Sequence, residues 1–589
     1  MCGIVGYIGE RKATPILLES IKKLEYRGYD SVGMCTIGEN LNILKDVGRI
    51  NDVHEKINFH SITGNLGISH TRWATHGGVT DFNAHPHTDC QNKIAVVHNG
   101  IIENYSELKE ELIKKGHDFK SETDTEVISH LIEEYMNNGI DFRNAVIETS
   151  KQLQGMFAFI AINESEKDKI VACRNKCPLV LGIGQEENFV ASDVVSFLNH
   201  TNKAVFLDDD EIAEITKGNF KVFDINGNPI TKKISYIDWN PEEAQKSGYE
   251  HFMLKEINEQ SETIEKAVNR DRESIEKIAN MINDAYGIFF VGCGTSYHAC
   301  LSAGYIFSAI TNKHVNVFLA SEFPNFSHFL TKNTLMIAVS QSGETADVLE
   351  AVRAAKEKGV KVISLVNVMG SSLMRMSDFS LLLNAGPEIC VLATKSFTSQ
   401  LALVYLLAYT CAGRYGEGKK KLEEVAKKVK QVLSPENIKK IKKLAKKLKN
   451  KNDIYLIGRG LGYSTTLEGA LKLKEVSYIH AEGLAGGELK HGTLALIEKG
   501  SPCIAIVPDN GMKKDTLSNA MEIKSRGGYI IGIANKDNEI FDYSIIVPEV
   551  EMHPILMIIP IQLLAYYLAV ERECDPDKPR NLAKSVTVK

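Results

Sequence analysis

Ile288-Phe-Phe-Val-Gly-Cys-Gly294 and Ile454-Tyr-Leu-Ile-Gly-Arg-Gly460 have the same form: an apolar strand, a Gly-x-Gly turn, a Ser/Thr pair and a helix. The first glycines of the two turns, Gly292 and Gly458, stand 166 residues apart. Further on, Lys361-Val-Ile-Ser-Leu-Val-Asn367 matches Tyr529-Ile-Ile-Gly-Ile-Ala-Asn535 at a separation of 168. Two matches at nearly one offset imply a tandem duplication. Apolar strands alternating with helices imply, for each copy, a parallel sheet with helices on both faces.

Outward from the repeat, Lys419 to Lys451 is rich in Lys, with Leu, Val and Ile at helical spacing. It reads as amphipathic helices with a solvated face. Before the repeat, Glu242 to Asn283 is charged and favours helix, and around Asp238-Trp-Asn-Pro241 the texture changes again. The stretch up to Trp239 mixes short β-rich runs with helices, and Asn226-Gly-Asn-Pro229 signals a hairpin. The expected domains are 1–240, a linker and helical segment 241–283, a first repeat 284–420, a helical spacer 421–452 and a second repeat 453–589. A chain of 589 residues, 43% hydrophobic and 24% charged, is ordinary for several globular domains. A net charge of −6 gives no global pull towards nucleic acid or acidic membranes. Eleven cysteines without a CxxC pair and with no recognisable signal peptide fit free thiols in a cytoplasmic setting. The longest apolar run, Ile555 to Val570, contains Pro560 and reads as a buried helix rather than a membrane span.

Cys2 is the most informative single residue. With Met1 removed, it would carry a thiol and a free α-amine, whose pKa of about 7.7–8 makes it a base near neutral pH. Nucleophile and base would then share one residue, at the head of the buried strand Gly3-Ile-Val-Gly-Tyr-Ile-Gly9. Three polar segments accompany it. In His70-Thr-Arg-Trp-Ala-Thr-His-Gly77, Arg72 can grip a carboxylate with its bidentate fork. In His98-Asn-Gly100, an amide side chain beside a glycine N–H at a strand end can form an oxyanion hole. In Ser121-Glu-Thr-Asp-Thr-Glu126, Asp124 can bind an ammonium, while Ser121 or Thr123 can cap the following helix. His70, His76, His85, His87 and His98 match no standard zinc spacing, and no metal is expected.

In the repeated part, Ser340-Gln-Ser-Gly-Glu-Thr345 follows the strand Leu335–Val339 and reads as a phosphate cradle at a helix N-terminus. Gly294-Thr-Ser296 offers a second such turn. A Rossmann dinucleotide site is the rival, but Gly292-x-Gly294 lacks the third glycine and no acidic residue clearly ends the next strand. Glu468, Lys472 and Glu475 share one helix face by their spacing, which alone suggests a surface ion-pair ladder.

Cys-Gly-Ile-Val-Gly at 2–6, His-Thr-Arg-Trp-Ala-Thr-His-Gly, His-Asn-Gly and Glu-Thr-Asp-Thr-Glu resemble the glutaminase domain of class II, N-terminal-nucleophile amidotransferases. Glu25-Tyr-Arg-Gly-Tyr-Asp-Ser31 narrows the likeness to the glucosamine-6-phosphate synthase family, and the repeat resembles its tandem sugar isomerase domains. The likeness runs on through Leu467–Glu475, Gly487–Gly492 and the tail Asp577–Lys589. It implies an α+β N-terminal-nucleophile domain of αββα layers followed by two tandem, doubly wound α/β domains. It implies glutamine-dependent amination and isomerisation of fructose 6-phosphate to glucosamine 6-phosphate, without metal, flavin or nicotinamide, in a homodimer. By the same resemblance Cys2 is the nucleophile, and Asn99 with Gly100 the oxyanion hole. Arg72 and Asp124 bind the ends of glutamine, and Trp73, Thr75, His76 and Gly77 shape its pocket. Thr295, Ser296, Ser340, Gln341, Ser342 and Thr345 hold the sugar phosphate, with backbone contacts from Val391 and Ala583. Lys584 forms a Schiff base, Glu475 moves the proton, Lys472 and Glu468 tune it, and His491 from a second subunit assists ring opening. A sealed ammonia passage follows, with Trp73 and the tail after Lys584 as candidate walls. The chain departs from the family pattern at Ala393, usually Ser, and at Thr493, usually Pro. The alternatives are another phosphosugar acceptor and a non-catalytic phosphosugar sensor.

Overall fold

The computed structural model describes residues 2–74, 76–239 and 245–587. The chain forms two compact units, one up to Ala244 with the tail from Ala583, the other from Gln245 to Leu582. The tail thus groups with the first unit, not with the second repeat to which the sequence reading assigned it. Its last anchors in the second unit are Asp577, whose carboxylate accepts the N–H groups of Phe252 and Met253, and Leu582, which packs on that unit's core.

The first unit stacks two antiparallel sheets. In the eight-stranded sheet, Gly3–Gly9 lies between Leu66–Arg72 and Glu187–Ala191. In the seven-stranded sheet, Ile94–Ile102 pairs with Gly155–Asn163. The run Ile94-Ala-Val-Val97 shows why such strands are apolar throughout. Ala95 and Val97 face the core between the sheets, with Ile4, Ile8 and Ile68. Ile94 and Val96 face the opposite way, against the helices Glu126–Asn137 and Phe142–Gln152. Helix Ala13–Lys22 covers the other outer face. The layers are αββα, and every residue of Gly3–Gly9 is buried, so Cys2 is held by a central strand. The expected hairpin joins Phe220–Asp224 to Pro229–Ile230.

The second unit holds two five-stranded parallel sheets. The order in the first is Asn316–Leu319, Gly287–Gly292, Thr334–Ser340, Lys361–Val366, Phe379–Leu382. The second repeats it with His480–Ala485, Asp453–Gly458, Pro502–Val507, Tyr529–Ala534, Tyr543–Ile546. Numbered along the chain, both orders are 2-1-3-4-5, and the switch point lies between the first and third strands, where ligands bind in open α/β sheets. The segment 241–283 was expected to be a linker and helical segment lying outside the two repeats. Its helices Phe252–Asn258, Gln260–Val268 and Arg272–Asp284 instead bury Met253, Ile257, Ile264, Ile275, Ile278 and Ile282 in the core shared by both sheets. The Lys-rich helices Tyr415–Val432 and Pro435–Leu448 join the same core through Leu422, Val425, Ile441 and Leu444. The apolar stretch His553–Glu571 is 89% buried within this core, as an all-round hydrophobic helical segment must be in a globular fold.

Candidate active site

Two constellations form, one per unit. In the first, Cys2 Sγ accepts the Trp73 N–H at 3.2 Å, and Asn99 Nδ2 donates to the Cys2 carbonyl at 3.0 Å. Desolvation pushes the Cys2 thiol above its ordinary pKa; the Trp73 N–H and Arg72 pull it down, and Asp124 pushes it up. The resting sulfur is therefore a thiol that needs a base. Gly100 has φ +118°, and a Cβ there would collide with the Met156 carbonyl oxygen. Only glycine fits beside Asn99.

Arg72 is buried, and its guanidinium donates to the carbonyls of His76 at 2.5 Å, Gly77 at 3.2 Å and Gly78 at 3.0 Å. Its fork holds the loop His76–Gly78. Trp73 sets its ring edge-on to Tyr29 at 5.5 Å, and His76 stacks edge-on to Tyr105 at 5.7 Å. Thr75 lies outside the described residues. Asp124 is buried and accepts the Ile102 N–H at 2.8 Å, at the end of the Asn99 strand. Neither Ser121 nor Thr123 caps the next helix. Glu126 reaches back to the N–H groups of Lys120 and Ser121 at 2.8 and 2.7 Å, and so fixes the turn itself. Two positioning residues escaped the sequence reading. Asn83 ties the pocket loop to Glu122 through Gly78 O at 3.1 Å and Glu122 Oε2 at 3.0 Å, and Asp30 accepts the Ala74 N–H at 2.8 Å.

The histidines near this site form no ligand set. His70 and His85 stack at 3.9 Å, and His87 meets His85 edge-on at 4.7 Å. Burial holds His70 down to about pKa 3 and lowers His85 and His87 well below the usual value. They are neutral core rings.

In the second unit, Gly294 opens the helix Gly294–Thr311 and Thr345 precedes the helix Ala346–Glu357, at the ends of the paired strands Gly287–Gly292 and Thr334–Ser340. Ser340 Oγ accepts the Gly343 N–H at 3.0 Å and lies 3.4 Å from Thr345 Oγ1; Ser342 Oγ accepts the Glu344 N–H at 3.2 Å. Gly343 has φ +67°, and a Cβ would run into Ser371 Oγ. Ser296 Oγ accepts from Gln400 at 2.9 Å. Gln341 sits half-buried in the same turn. Val391 N–H donates to Asp577 O at 3.1 Å.

The expected ladder is buried, not superficial: Glu468 and Lys472 are both 0% exposed. Lys472 Nζ lies 2.8 Å from Glu475, 3.3 Å from Glu468, 3.0 Å from Thr295 Oγ1 and 3.2 Å from the Ala393 carbonyl. Burial works to lower the Lys472 pKa, but the carboxylates of Glu468 and Glu475 outweigh it, so the ammonium stays charged. Thr295 also donates to Glu468 at 3.1 Å. The turn at Gly294–Ser296 and the charged helix face are thereby joined.

Family models match both units: a glutamine amidotransferase domain over residues 70–199, and a SIS domain twice, over 281–410 and 447–572. A protein of Thermococcus kodakarensis named glutamine–fructose-6-phosphate aminotransferase (isomerizing) is 49% identical over all of both chains. The chain belongs to this family. A Methanothermobacter thermautotrophicus protein of the same name is 46% identical, again over 100% of each chain. Among solved structures, the C-terminal domain of the Francisella tularensis glucosamine–fructose-6-phosphate aminotransferase aligns with a TM-score of 0.53 and 34% identity, covering 56% of this chain and 99% of that one.

His298 is a further side chain at this face that sequence reasoning missed; its Nδ1 lies 2.8 Å from Glu468 Oε2. Its place three residues after Thr295 on one helix was the available signal. His491 does not join the ladder's hydrogen bonds; it is exposed at the end of the turn Gly486–His491. Ala583 and Lys584 lie half-buried in the tail grouped with the first unit.

Proposed function

We propose that the chain transfers the amide nitrogen of glutamine to fructose 6-phosphate and isomerises the product to glucosamine 6-phosphate, with glutamate as the second product. The full-length likeness to aminotransferases of that name carries this reading. Cys2 Sγ attacks the glutamine amide carbon while the α-amine of Cys2, freed by loss of Met1, takes the thiol proton. Asn99 Nδ2 and the Gly100 N–H receive the oxyanion. The α-ammonium gives that proton to the amide nitrogen, which leaves as ammonia, and water hydrolyses the thioester to glutamate. Arg72 and Asp124 hold the carboxylate and ammonium of glutamine, for which Arg72 exchanges loop carbonyls.

The sugar phosphate takes the cradle of Thr295, Ser296, Ser340, Gln341, Ser342 and Thr345. Lys584 condenses with C2, releasing water, and ammonia then displaces the lysine. Glu475 moves a proton from C1 to C2; Lys472, 2.8 Å away, holds that carboxylate and stabilises its anionic form. Ammonia passes between the sites without entering water, where protonation would remove its lone pair. The exposure of His491 supports its use by a second copy in a homodimer. Eleven free thiols support a cytoplasmic setting.

One observation bears on a different acceptor: Ala393 lacks the usual hydroxyl. The backbone there still serves, since the Ala393 carbonyl binds Lys472. Incubation with glutamine and a panel of ketose phosphates, with the aminated products identified, tests the assignment. Glucosamine 6-phosphate as the main product is expected; preferential amination of another sugar would replace the acceptor. Borohydride with fructose 6-phosphate should fix an adduct at Lys584, whereas a mere sensor would yield none.

A further inference from the structure

Away from Cys2, four side chains of the first unit turn one ligand atom each towards a common point: Cys90, His117, His130 and Glu133. Cys90 follows the short strand His87–Thr88, His117 lies between the helices Tyr105–Lys114 and Glu126–Asn137, and His130 and Glu133 stand one turn apart on the latter. His117, His130 and Glu133 are buried.

The spacings are those of a coordination tetrahedron. Zinc bonds of about 2.0–2.1 Å to nitrogen and about 2.3 Å to sulfur require N···N edges of about 3.3 Å and S···N edges of about 3.6 Å. Cys90 Sγ lies 3.6 Å from Nδ1 of both His117 and His130, and the two Nδ1 atoms lie 3.2 Å apart. Glu133 Oε2 lies 3.1 Å from His117 Nδ1 and 3.4 Å from His130 Nδ1. The Cys90 N–H also donates to Glu133 Oε2 at 3.1 Å, but with both imidazoles neutral hydrogen bonds alone serve this arrangement poorly. If the thiol proton goes to one imidazole and the other imidazole donates to Glu133, a bare ring nitrogen still faces a carboxylate oxygen. A central cation makes all four contacts attractive.

The surroundings repeat the pattern. His117 Nε2 lies 3.3 Å from Glu134 Oε2, and His130 Nε2 lies 3.6 Å from Glu126 Oε1. Carboxylates behind the distal ring nitrogens orient histidines that bind metal.

We propose that Cys90, His117, His130 and Glu133 form a structural site for a divalent transition metal, zinc in first place. Thiolate and imidazole donors select against magnesium and calcium. One thiolate and one carboxylate neutralise the dication, and four protein ligands leave no open position, which marks a structural role. Binding displaces the thiol proton of Cys90 to solvent. The ion joins three segments and fixes the helix that begins directly after Asp124 and Thr125.

The test uses the full chain, stripped with a chelator under reducing conditions and titrated with cobalt(II). The expected result is about one tight cobalt per chain with a thiolate-to-cobalt charge-transfer band, displaced by zinc. The band should be lost in Cys90→Ser, and Glu134→Gln, which keeps every ligand, should weaken the affinity by about 10–100-fold. Metal analysis of protein purified without chelator should find zinc, and zinc should raise the melting temperature of the stripped protein. Absence of a charge-transfer band in the native sequence overturns the proposal without recourse to any variant. So does a band that survives Cys90→Ser.

Discussion

The two parallel sheets of the second unit have the same strand order and opposite chemistry at their carboxyl ends. After its third strand the first copy carries Ser340-Gln-Ser-Gly-Glu-Thr345; the second carries Pro508-Asp-Asn-Gly-Met-Lys513. Asp509 and Lys513 there pair with each other at 3.1 Å, leaving a closed turn with a carboxylate where the first copy offers hydroxyls. After the first strand, Gly294-Thr-Ser296 is matched by Gly460-Leu-Gly462. Conversely, the first helix of the second copy carries Glu468, Lys472 and Glu475, while the repeat offset of 166 puts Ser302, Ile306 and Ala309 at those places in the first. One copy carries a turn of hydroxyls and the other a charged helix face. The contacts Thr295–Glu468 and Thr295–Lys472 join them. Duplication supplied two equal scaffolds, and the polar residues at their tips were then divided between them.

The most damaging way to break this division is on the charged helix. Glu475→Gln should reduce glucosamine 6-phosphate formation by about 10²–10⁴-fold, while glutamine hydrolysis by the same protein persists. A rate within severalfold of the native one would remove Glu475 from the chemistry. Next, Lys472→Met leaves two carboxylates without their shared ammonium. A loss of about 3–5 kcal/mol is expected for a buried pair deprived of one partner, seen as an earlier melting transition; an unchanged transition would show that the ladder is solvated.

A smaller effect separates the two turns directly. Removing one hydroxyl by Ser342→Ala or Thr345→Ala should raise KM for the sugar phosphate about tenfold, in line with about 1.5 kcal/mol for a hydrogen bond to a charged group. Asn510→Ala in the other copy should leave KM unaltered. Equal effects in both turns would mean that the second sheet binds phosphate too.

A separate effect concerns acid. His553 heads the second copy's core segment, and burial lowers its pKa to about 4. The unfolded chain, with a histidine near 6.5, binds this proton first, so stability is full above about pH 6.5 and falls towards pH 4. His553→Gln should flatten that part of the stability profile in calorimetry. A profile of unaltered slope would place the acid sensitivity elsewhere.

Much of the fold was legible because it was local. The repeat was visible as two apolar strands with the same turn, and Ser340–Thr345 as a polar turn between a strand and a helix. Spacing put Glu468, Lys472 and Glu475 on one face, yet spacing alone pointed to solvent, because it does not report what packs over that face. His298 was missed since its partner Glu468 lies 170 residues on. The Cys90 cluster was missed for the same reason, its ligands lying 27, 13 and 3 residues apart; attention fell instead on the histidines around His70, which are packed neutral rings. The helices of 252–284 were expected as helix but placed outside the repeats because their charged residues dominate composition, although their apolar residues recur at helical spacing and fill the core.

Use of glutamine by this protein turns on the sulfur of Cys2. Glutamine labelled with heavy nitrogen at its amide should be given with fructose 6-phosphate to the native protein and to Cys2→Ala, and both assayed for labelled glucosamine 6-phosphate and for glucose 6-phosphate formed by simple isomerisation. Label in the native product alone, with isomerisation retained by the variant, is the expected result. Labelled product from Cys2→Ala would contradict it.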